Sequence, residues 1–300
     1  MNKFYLACDE SGRLGYVDKN TNKIGEVTVV AGIIMDDASF QTFADEVGLI
    51  VTKYQDSTKS CKFHITDFEP EVATSVRNAI FNLIKEFKYP LVYGAQYYSA
   101  FSRKYQAQKE TVDTIVQVQK SQGRTVSYPM KHIKKLAQAE CFYNLYTKTA
   151  CFIAEVTQEP FQIKVLSDEI DGKTLKNYEE QVVRLHKPSV RKPLSGKRFV
   201  QSNKTVEKFS VSSNLRIDSP ITEILENSSG TVSKDQIVHS IVADVIANSV
   251  NYYLGQYAIK SNFHYLNIRA AIAEHPLASQ FVGLGLESTV TDKLYSYAGT

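Results

Sequence analysis

Two apolar segments of this chain end in carboxylates that are followed by a glycine, and this pattern constrains the fold more than any other feature. They are residues 4–12 (FYLACDESG) and 161–172 (FQIKVLSDEIDG). Strand interiors favour apolar and aromatic residues, so each segment predicts a strand that carries acids to the rim of a sheet. Open α/β sheets bind ligands and metals at such rims, although Asp, Ser and Gly are also ordinary turn residues.

The other hydrophobic patterns predict an α/β fold, with a mixed sheet and flanking helices. Further strands are expected at residues 26–35 and 91–97, with short ones around Phe199, Val211 and Leu215. Helices are expected at 36–54, 69–87, 99–156 with a break at Pro129, 174–186 and 234–254. We interpret residues 1–255 as one domain with a helical insertion at about 99–158, and residues 256–300 as a small C-terminal extension.

Composition excludes several classes of protein. No apolar run approaches the roughly 20 residues that a membrane span needs, and the polar start Met1-Asn2-Lys3 does not resemble a signal peptide. We therefore expect a soluble, cytoplasmic protein with no membrane partner. Four cysteines, Cys8, Cys61, Cys141 and Cys151, form no CxxC pair, which indicates reduced core thiols rather than a zinc site or disulfides.

A basic stretch covers residues 184–208 in a chain whose net charge is only +3. It contains Arg184, Lys187, Arg191, Lys192, Lys197, Arg198, Lys204 and Lys208, against the single acid Glu207. Pro188, Pro193 and Gly196 interrupt it, which favours a loop or hairpin. Phosphate backbones are the natural partner of such a cluster, so Arg191, Lys192, Lys197 and Arg198 are candidate nucleic-acid contacts. The alternative is an ordinary solvated surface.

The last predicted helix carries one acid beside its apolar side. Asp244 lies at the edge of a wide arc of Ile and Val residues and is flanked by Ala243 and Ala247, which would let the helix approach the sheet closely. His239 projects roughly 140° away from Asp244 at 100° per residue and is a poor candidate for the same site. This spacing predicts that Asp244 lies at the rim of the sheet.

Three acids from three elements, Asp9, Asp168 and Asp244, thus become candidates for one site. Carboxylates without counterions repel and raise one another's pKa, so their convergence implies a cation. Oxygen ligands favour Mg²⁺ or Mn²⁺ over zinc. Two such ions can activate a water and stabilise the leaving oxygen in phosphodiester hydrolysis.

Several motifs resemble those of the family catalogued as domain of unknown function 3800, which is mostly bacterial and phage-encoded. They are Asp9-Glu10-Ser11-Gly12, Phe63-His64, Asp168-Glu169, Asp218-Ser219 and Ala243-Asp244-Val245-Ile246-Ala247. The resemblance spans about residues 1–255 and implies an RNase H-like fold. It also implies that Asp9, Asp168 and Asp244 are metal ligands, with Glu10, His64 and Glu169 as additional site residues. Arg13 and Lys62 depart from the family, which favours acids at both positions.

Alternatives to single residues of this site stay open. His64 is as well explained by a structural hydrogen bond as by contact with a water or a phosphate. Asp67, Glu69 and Glu71 lie near His64 in sequence and could replace Glu10 or Glu169 as a fourth ligand.

The leading hypothesis is a metal-dependent nuclease of RNase H or RuvC type. A second hypothesis is a non-catalytic subunit with a vestigial acidic site that binds nucleic acid or a protein partner, including a second copy of the chain. A phosphatase with Asp9 as nucleophile ranks lower because Ser11 stands where a second acid is expected. An actin-like ATPase ranks lower because the chain has few glycine-rich phosphate loops.

Overall fold

A computed structural model describes residues 1–12, 27–55, 63–126, 133–168, 171–187, 194–200, 205–211, 220–234, 238–260 and 272–282. The strands are β1 (Asn2–Ser11), β2 (Val27–Asp36), β3 (Leu91–Tyr97), β4 (Arg124–Val126), β5 (Phe161–Ser167), β6 (Leu194–Val200), β7 (Thr205–Val211) and β8 (Ser229–Lys234). The helices are α1 (Phe40–Tyr54), α2 (Pro70–Phe87), α3 (Tyr98–Ser121), α4 (Ile133–Thr157), α5 (Gly172–His186), α6 (Pro220–Asn227) and α7 (Val238–Lys260). The predicted α/β class is confirmed.

The main sheet has five strands in the order β3-β2-β1-β5-β8. β1 is its central strand, antiparallel to β2 and parallel to β5. β3 is antiparallel to β2, and β8 is parallel to β5, so the sheet is mixed as predicted. The parallel strands β1, β5 and β8 therefore end at the same edge of the sheet.

Helices cover both faces of this sheet because alternate residues of its strands are apolar on both sides. On one face, Ala7 and Ile33 belong to a buried cluster with residues of α1, α2 and α7. On the other face, Leu6 and Val165 belong to a buried cluster with residues of α4 and α5. Successive residues of β1 thus contribute to different cores, and this alternation decides where its terminal acids point.

Helix α4 lies directly against strands β2 and β3. A Cβ atom at Gly94 would come within 2.1 Å of the carbonyl oxygen of Cys141, so glycine permits this close approach. Phe142, Leu145 and Tyr146 of α4 are fully buried in the core. The predicted helical insertion at about 99–158 therefore contains a helix that covers the main sheet.

A second sheet consists of β4, β6 and β7 in the order β4-β6-β7. β6 and β7 form an antiparallel hairpin over much of the basic stretch, as the positions of Pro and Gly predicted. β4, which lies between α3 and α4 in the sequence, pairs antiparallel with β6. Residues 99–156 were predicted to be mostly helical, and within that range the helices α3 and α4 are present but the strand β4 was not predicted.

Several boundaries differ from those predicted. β1 continues through Asp9 and Glu10 to Ser11, because these residues pair with β2 instead of forming a turn. The first helix begins at Phe40 and not at Asp36, since β2 runs to Asp36 and the Asp36 carboxylate accepts hydrogen bonds from the backbone and hydroxyl of Ser39. Burial alone would raise the pKa of the Asp36 carboxyl, but the hydrogen bonds from Ser39 and neighbouring backbone groups together outweigh it and lower the pKa.

Two elements near the last helix were not predicted. Strand β8 reads SGTVSK, which is too short and polar to stand out as a strand, and it pairs along one side with β5. Helix α6 precedes it, and the predicted start of the last helix at Lys234 was wrong because β8 extends to that residue. α7 continues to Lys260, past the predicted domain boundary at 255.

Residues 272–282 of the predicted C-terminal extension pack on the main core. Ile272, Leu277 and Phe281 join the cluster formed with α2 and α7. His275 is 3% exposed, and its Nδ1 accepts a hydrogen bond from the backbone N–H of Leu277. Its Nε2 therefore carries the proton and donates to the hydroxyl of Ser249 at 2.9 Å.

The cysteines are free thiols where the structure describes them. Cys8 and Cys141 are buried and Cys151 is half-buried, as expected for reduced core residues. Burial raises the pKa of all three thiols, and nearby carboxylates add to the shift. Cys61 lies outside the described residues.

We predict that His275 makes the protein sensitive to acid. Burial lowers its pKa to about 4, against about 6.5 in the unfolded chain. Stability is therefore complete above pH 6.5 and is lost as pH falls towards 4, by about 2–3 kcal/mol. Denaturant unfolding at pH 7 and pH 4.5 should show a smaller pH effect in His275→Gln than in the wild type.

Ser249→Ala provides the control for this prediction. It removes the hydroxyl that accepts the hydrogen bond from the Nε2–H, so it should lower the free energy of unfolding by about 1–3 kcal/mol at pH 7. It keeps the imidazole, so the acid sensitivity should remain. Equal pH dependence of the wild type and His275→Gln would contradict the role given to His275.

Candidate functional site

The candidate site lies where β1 and β5 end. Cys8 and Ser167 are the last residues that these parallel strands pair. Asp9 and Asp168 each follow by one residue, so the register brings them to neighbouring positions at this edge of the sheet. Two of the three predicted acids are therefore placed by strand pairing alone.

Asp244 is brought to the same region by α7, which packs across β1 and β2. Ala243 and Ala247 on either side of it are fully buried, so the helix approaches the sheet closely, as predicted. Asp244 itself is only 7% exposed. A carboxylate this deep needs hydrogen bonds to remain charged.

Two hydrogen bonds satisfy the Asp244 carboxylate, and an imidazole lies close to it. The backbone N–H of Ile65 donates to its Oδ2 at 2.8 Å, and the Asn248 amide donates to its Oδ1 at 2.6 Å. The Nδ1 of His64 lies 3.8 Å from Oδ2. The segment that carries His64 is therefore attached to the same carboxylate that the resemblance assigns to the metal.

The three acids influence one another electrostatically. The pKa of Asp9 is raised to about 7, first by burial and then by the negative charges of Asp244, Glu10 and Asp168, against a lowering by the Glu10 backbone. The pKa of Asp244 is also raised by burial and by Asp168, while Ile65, His64 and Asn248 offset part of the increase. Asp9, Asp168 and Asp244 thus share one electrostatic environment.

Glu10 lies on the opposite face of β1 from Asp9, as the alternation of a strand requires. The hydroxyl of Tyr178 on α5 and the amide of Gln138 on α4 both donate to its Oε1. The buried Tyr178 ring stacks on Phe142 at 3.7 Å between centroids. Glu10 contributes charge to the Asp9 environment, but its hydrogen-bonding partners belong to the α4–α5 side of the sheet.

His64 belongs to the segment between α1 and α2. It immediately precedes a 3₁₀ turn at Ile65–Asp67, and 36% of its side chain is exposed. Phe63 packs edge-on against Phe68 and holds this turn against the core. His64 therefore faces both Asp244 and the solvent.

The other candidate ligands from this part of the sequence lie in the 3₁₀ turn and at the start of α2. Glu69 and Glu71 are exposed at the start of α2, and Asp67 is half-buried in the 3₁₀ turn. Asp171 caps α5, accepting hydrogen bonds from the backbone of Lys173 and Thr174. Glu169 lies outside the described residues.

The candidate nucleic-acid contacts are described only in part. Lys197 and Arg198 are consecutive residues of β6, so they occupy opposite faces of the second sheet. Arg191 and Lys192 lie outside the described residues, and so do Asp218 and Ser219 of the motif preceding the last helix.

The residues that orient Asp244 had no predicted role. Asn248 follows Asp244 by four residues along the helix, which is the spacing at which side chains meet. The hydroxyl of Ser11 contacts the Asn248 amide oxygen at 3.4 Å. Gly12 follows at φ +93°, where a Cβ would come within 2.6 Å of the Asn251 amide and still closer to the Val27 carbonyl oxygen.

The donor set fits a hard divalent cation in chemistry and charge, since carboxylate oxygens that repel one another are what such ions bind. The arrangement is not a ready-made cage. Within the described ranges, no group of three or more His, Cys, Asp or Glu side chains is placed so that it could hold a metal ion.

Comparisons with known proteins add no family. No protein-family model matches this chain, and no curated protein is significantly similar to it in sequence.

None of the helices in the described ranges combines the length and apolar character needed to cross a membrane.

We predict that Asp9→Asn stabilises the metal-free protein above neutral pH. Its pKa is about 7 in the folded protein and about 4 in the unfolded chain, so the wild type loses stability as pH rises from 4 through 7. The Asn variant lacks this loss and should be more stable by about 3–4 kcal/mol at pH 8, with a difference below about 0.5 kcal/mol near pH 4. Denaturant unfolding in EDTA measures this.

Asp113→Asn is the matched control, because it removes one exposed carboxylate from α3. It should change stability by less than about 0.5 kcal/mol at either pH. A destabilised Asp9→Asn variant at pH 8 would contradict the repulsion among the three acids.

Proposed function

We propose that this protein is a metal-dependent nuclease that hydrolyses phosphodiester bonds of DNA or RNA, with Asp9, Asp168 and Asp244 as the residues that hold Mg²⁺ or Mn²⁺. The observation that carries the proposal is the convergence of these three acids from β1, β5 and α7 on one end of the sheet, where burial and then the charges of Asp244 and Asp168 raise the pKa of the Asp9 carboxyl. Stability does not explain this arrangement, because placing a half-buried carboxylate beside two others costs free energy. Function does, since a bound cation would relieve the repulsion.

The mixed sheet with helices on both faces also supports the proposal. The resemblance to the family of unknown function implies an RNase H-like fold, and a central β1 between an antiparallel and a parallel neighbour fits that expectation. The acids lie at the edge where the parallel strands end, which is where such sheets place their ligands.

The residues of the site would have different roles in hydrolysis. Divalent ions at the site would activate a water and stabilise the leaving oxygen. Asp244 is kept in one orientation by Asn248 and by the backbone of Ile65. The partly exposed His64 lies beside it and is placed to contact the phosphate of a substrate or to hold a proton at its imidazole.

The decisive experiment is hydrolysis of labelled single-stranded DNA, double-stranded DNA and RNA in Mn²⁺, in Mg²⁺ and in EDTA. We expect cleavage that requires metal and falls at least about 100-fold in Asp9→Asn and Asp244→Asn, because each loses a carboxylate ligand. Asp113→Asn should cleave like the wild type. Wild-type turnover in Asp9→Asn would falsify the assignment.

We predict a smaller effect when the residue that orients Asp244 is removed. Asn248→Ala should lower cleavage or Mn²⁺ affinity by about 10–100-fold, as is usual for residues that position a metal ligand. Asn251→Ala is the matched control, since Asn251 lies on the same side of α7 but donates to the backbone of Val27. Isothermal titration with Mn²⁺ would compare the two, and equal losses would assign both residues to folding alone.

A non-catalytic nucleic-acid-binding subunit is the second candidate. The observation that favours it is that both carboxylate oxygens of Asp244 already accept hydrogen bonds from the protein. Such a subunit should bind nucleic acid equally well in EDTA and in Mn²⁺ and should cleave none of the three substrates.

A further inference from the structure

The second sheet divides the basic residues of its hairpin between two faces. The register pairs Ser195 with Ser210, Lys197 with Lys208 and Phe199 with Val206. Thr125 of β4 pairs with Phe199 on its other side. Paired residues share a face and side chains alternate along a strand, so these seven positions belong to one face, which we call the lysine face.

The opposite face has a different charge pattern. There Arg198 pairs with Glu207, and Arg124 pairs with Val200. Arg198 and Glu207 therefore occupy opposed positions of opposite charge, a sequence pattern that favours sheet formation. Glu207 is the only acid within residues 184–208, and the register assigns it to this face.

On the lysine face, two cations occupy directly opposed positions and no acid shares the face. Like charges opposed across two strands destabilise a sheet, so the pairing of Lys197 with Lys208 has an electrostatic cost. An anion bound between them would remove that cost. Lys208 is exposed, whereas Glu207 on the other face is half-buried, which indicates that the lysine face is open to solvent at this position.

We propose that the lysine face binds single-stranded nucleic acid. This proposal rests on the proposed nuclease function and specifies the form of its substrate. Lys197 and Lys208 supply charge for phosphates, and Ser195, Ser210 and Thr125 supply hydroxyl donors of the kind that contact phosphate and sugar. Phe199 lies two residues from Lys197 on the same face. An aromatic ring beside cations is the combination that binds unpaired bases by stacking, which the paired bases of a duplex do not offer.

The test is fluorescence anisotropy of a labelled oligothymidylate of about 20 nucleotides, titrated in EDTA at several salt concentrations. Lys197→Gln with Lys208→Gln should weaken binding at least about tenfold and lower the salt slope by about 1.4, for two single-strand contacts. Lys53→Gln with Lys85→Gln removes the same charge from exposed positions of α1 and α2 and should weaken binding by less than about threefold. Lys197→Arg with Lys208→Arg should restore wild-type affinity.

Phe199→Leu tests the stacking contribution while keeping an apolar side chain. It should weaken binding of the single strand about fivefold to tenfold and leave binding of a duplex of equal length unchanged. Far-UV circular dichroism and the thermal unfolding midpoint of each variant show whether the hairpin has folded. If the Gln pair does not fold, the single substitution Lys208→Gln keeps the test valid, because it should lower the salt slope by about 0.7.

Three results would overturn the proposal: equal losses from the two pairs of substitutions, duplex binding as tight as single-strand binding, or no binding of the oligonucleotide by the wild type. Because the measurement is made in EDTA, it is independent of hydrolysis. Selective loss on the lysine face without any cleavage would leave this proposal standing and refute the nuclease. Cleavage together with equal losses would do the reverse.

Discussion

The alternation of side chains along β1 is the constraint on which the site depends. β1 is the central strand, and helices cover both faces of the sheet. Each buried side chain of β1 therefore packs in one of two separate hydrophobic cores. Asp9 and Glu10 are consecutive, and the strand runs through both of them. One carboxylate therefore points towards α7 and the other towards Tyr178 and Gln138. A pair of acids that looks like one feature in the sequence becomes two features in space.

These two carboxylates are stabilised in different ways. Glu10 accepts hydrogen bonds from two side chains, which compensates for its removal from water. Asp9 is close to further negative charge, and its pKa of about 7 shows that its environment favours the neutral acid. Asp244 is intermediate between Glu10 and Asp9, since hydrogen bonds and the nearby His64 offset part of the rise in its pKa that burial causes. The site thus concentrates uncompensated charge on Asp9, at the end of the central strand.

The main features of this arrangement could be predicted from the sequence because they depend on local patterns. The strands at 91–97 and 161–167 and the position of Asp244 beside two alanines follow from apolar periodicity. Strand β8 could not be predicted, since its six residues are polar and its pairing with β5 depends on distant residues. The hydrogen bond between Ile65 and Asp244 joins residues 179 positions apart. Its donor is a backbone N–H, which almost every residue type has, so the sequence contains no signal for it. The assignment of Lys197 and Arg198 to opposite faces required only the knowledge that β6 is a strand.

The packing of residues 272–282 has a consequence for how copies of this protein behave towards one another. β3 is an outer strand of the main sheet, and its unpaired side would offer backbone groups to another chain. Phe281 forms a bridge with Leu91, and the N–H of Val282 donates to the Leu91 carbonyl at 2.8 Å. The C-terminal segment therefore occupies the start of this edge and, through Phe281, covers Tyr93 as well. A chain shortened before Ile272 would uncover both the strand edge and the apolar residues beneath it, so its copies would be prone to associate edge to edge and to precipitate.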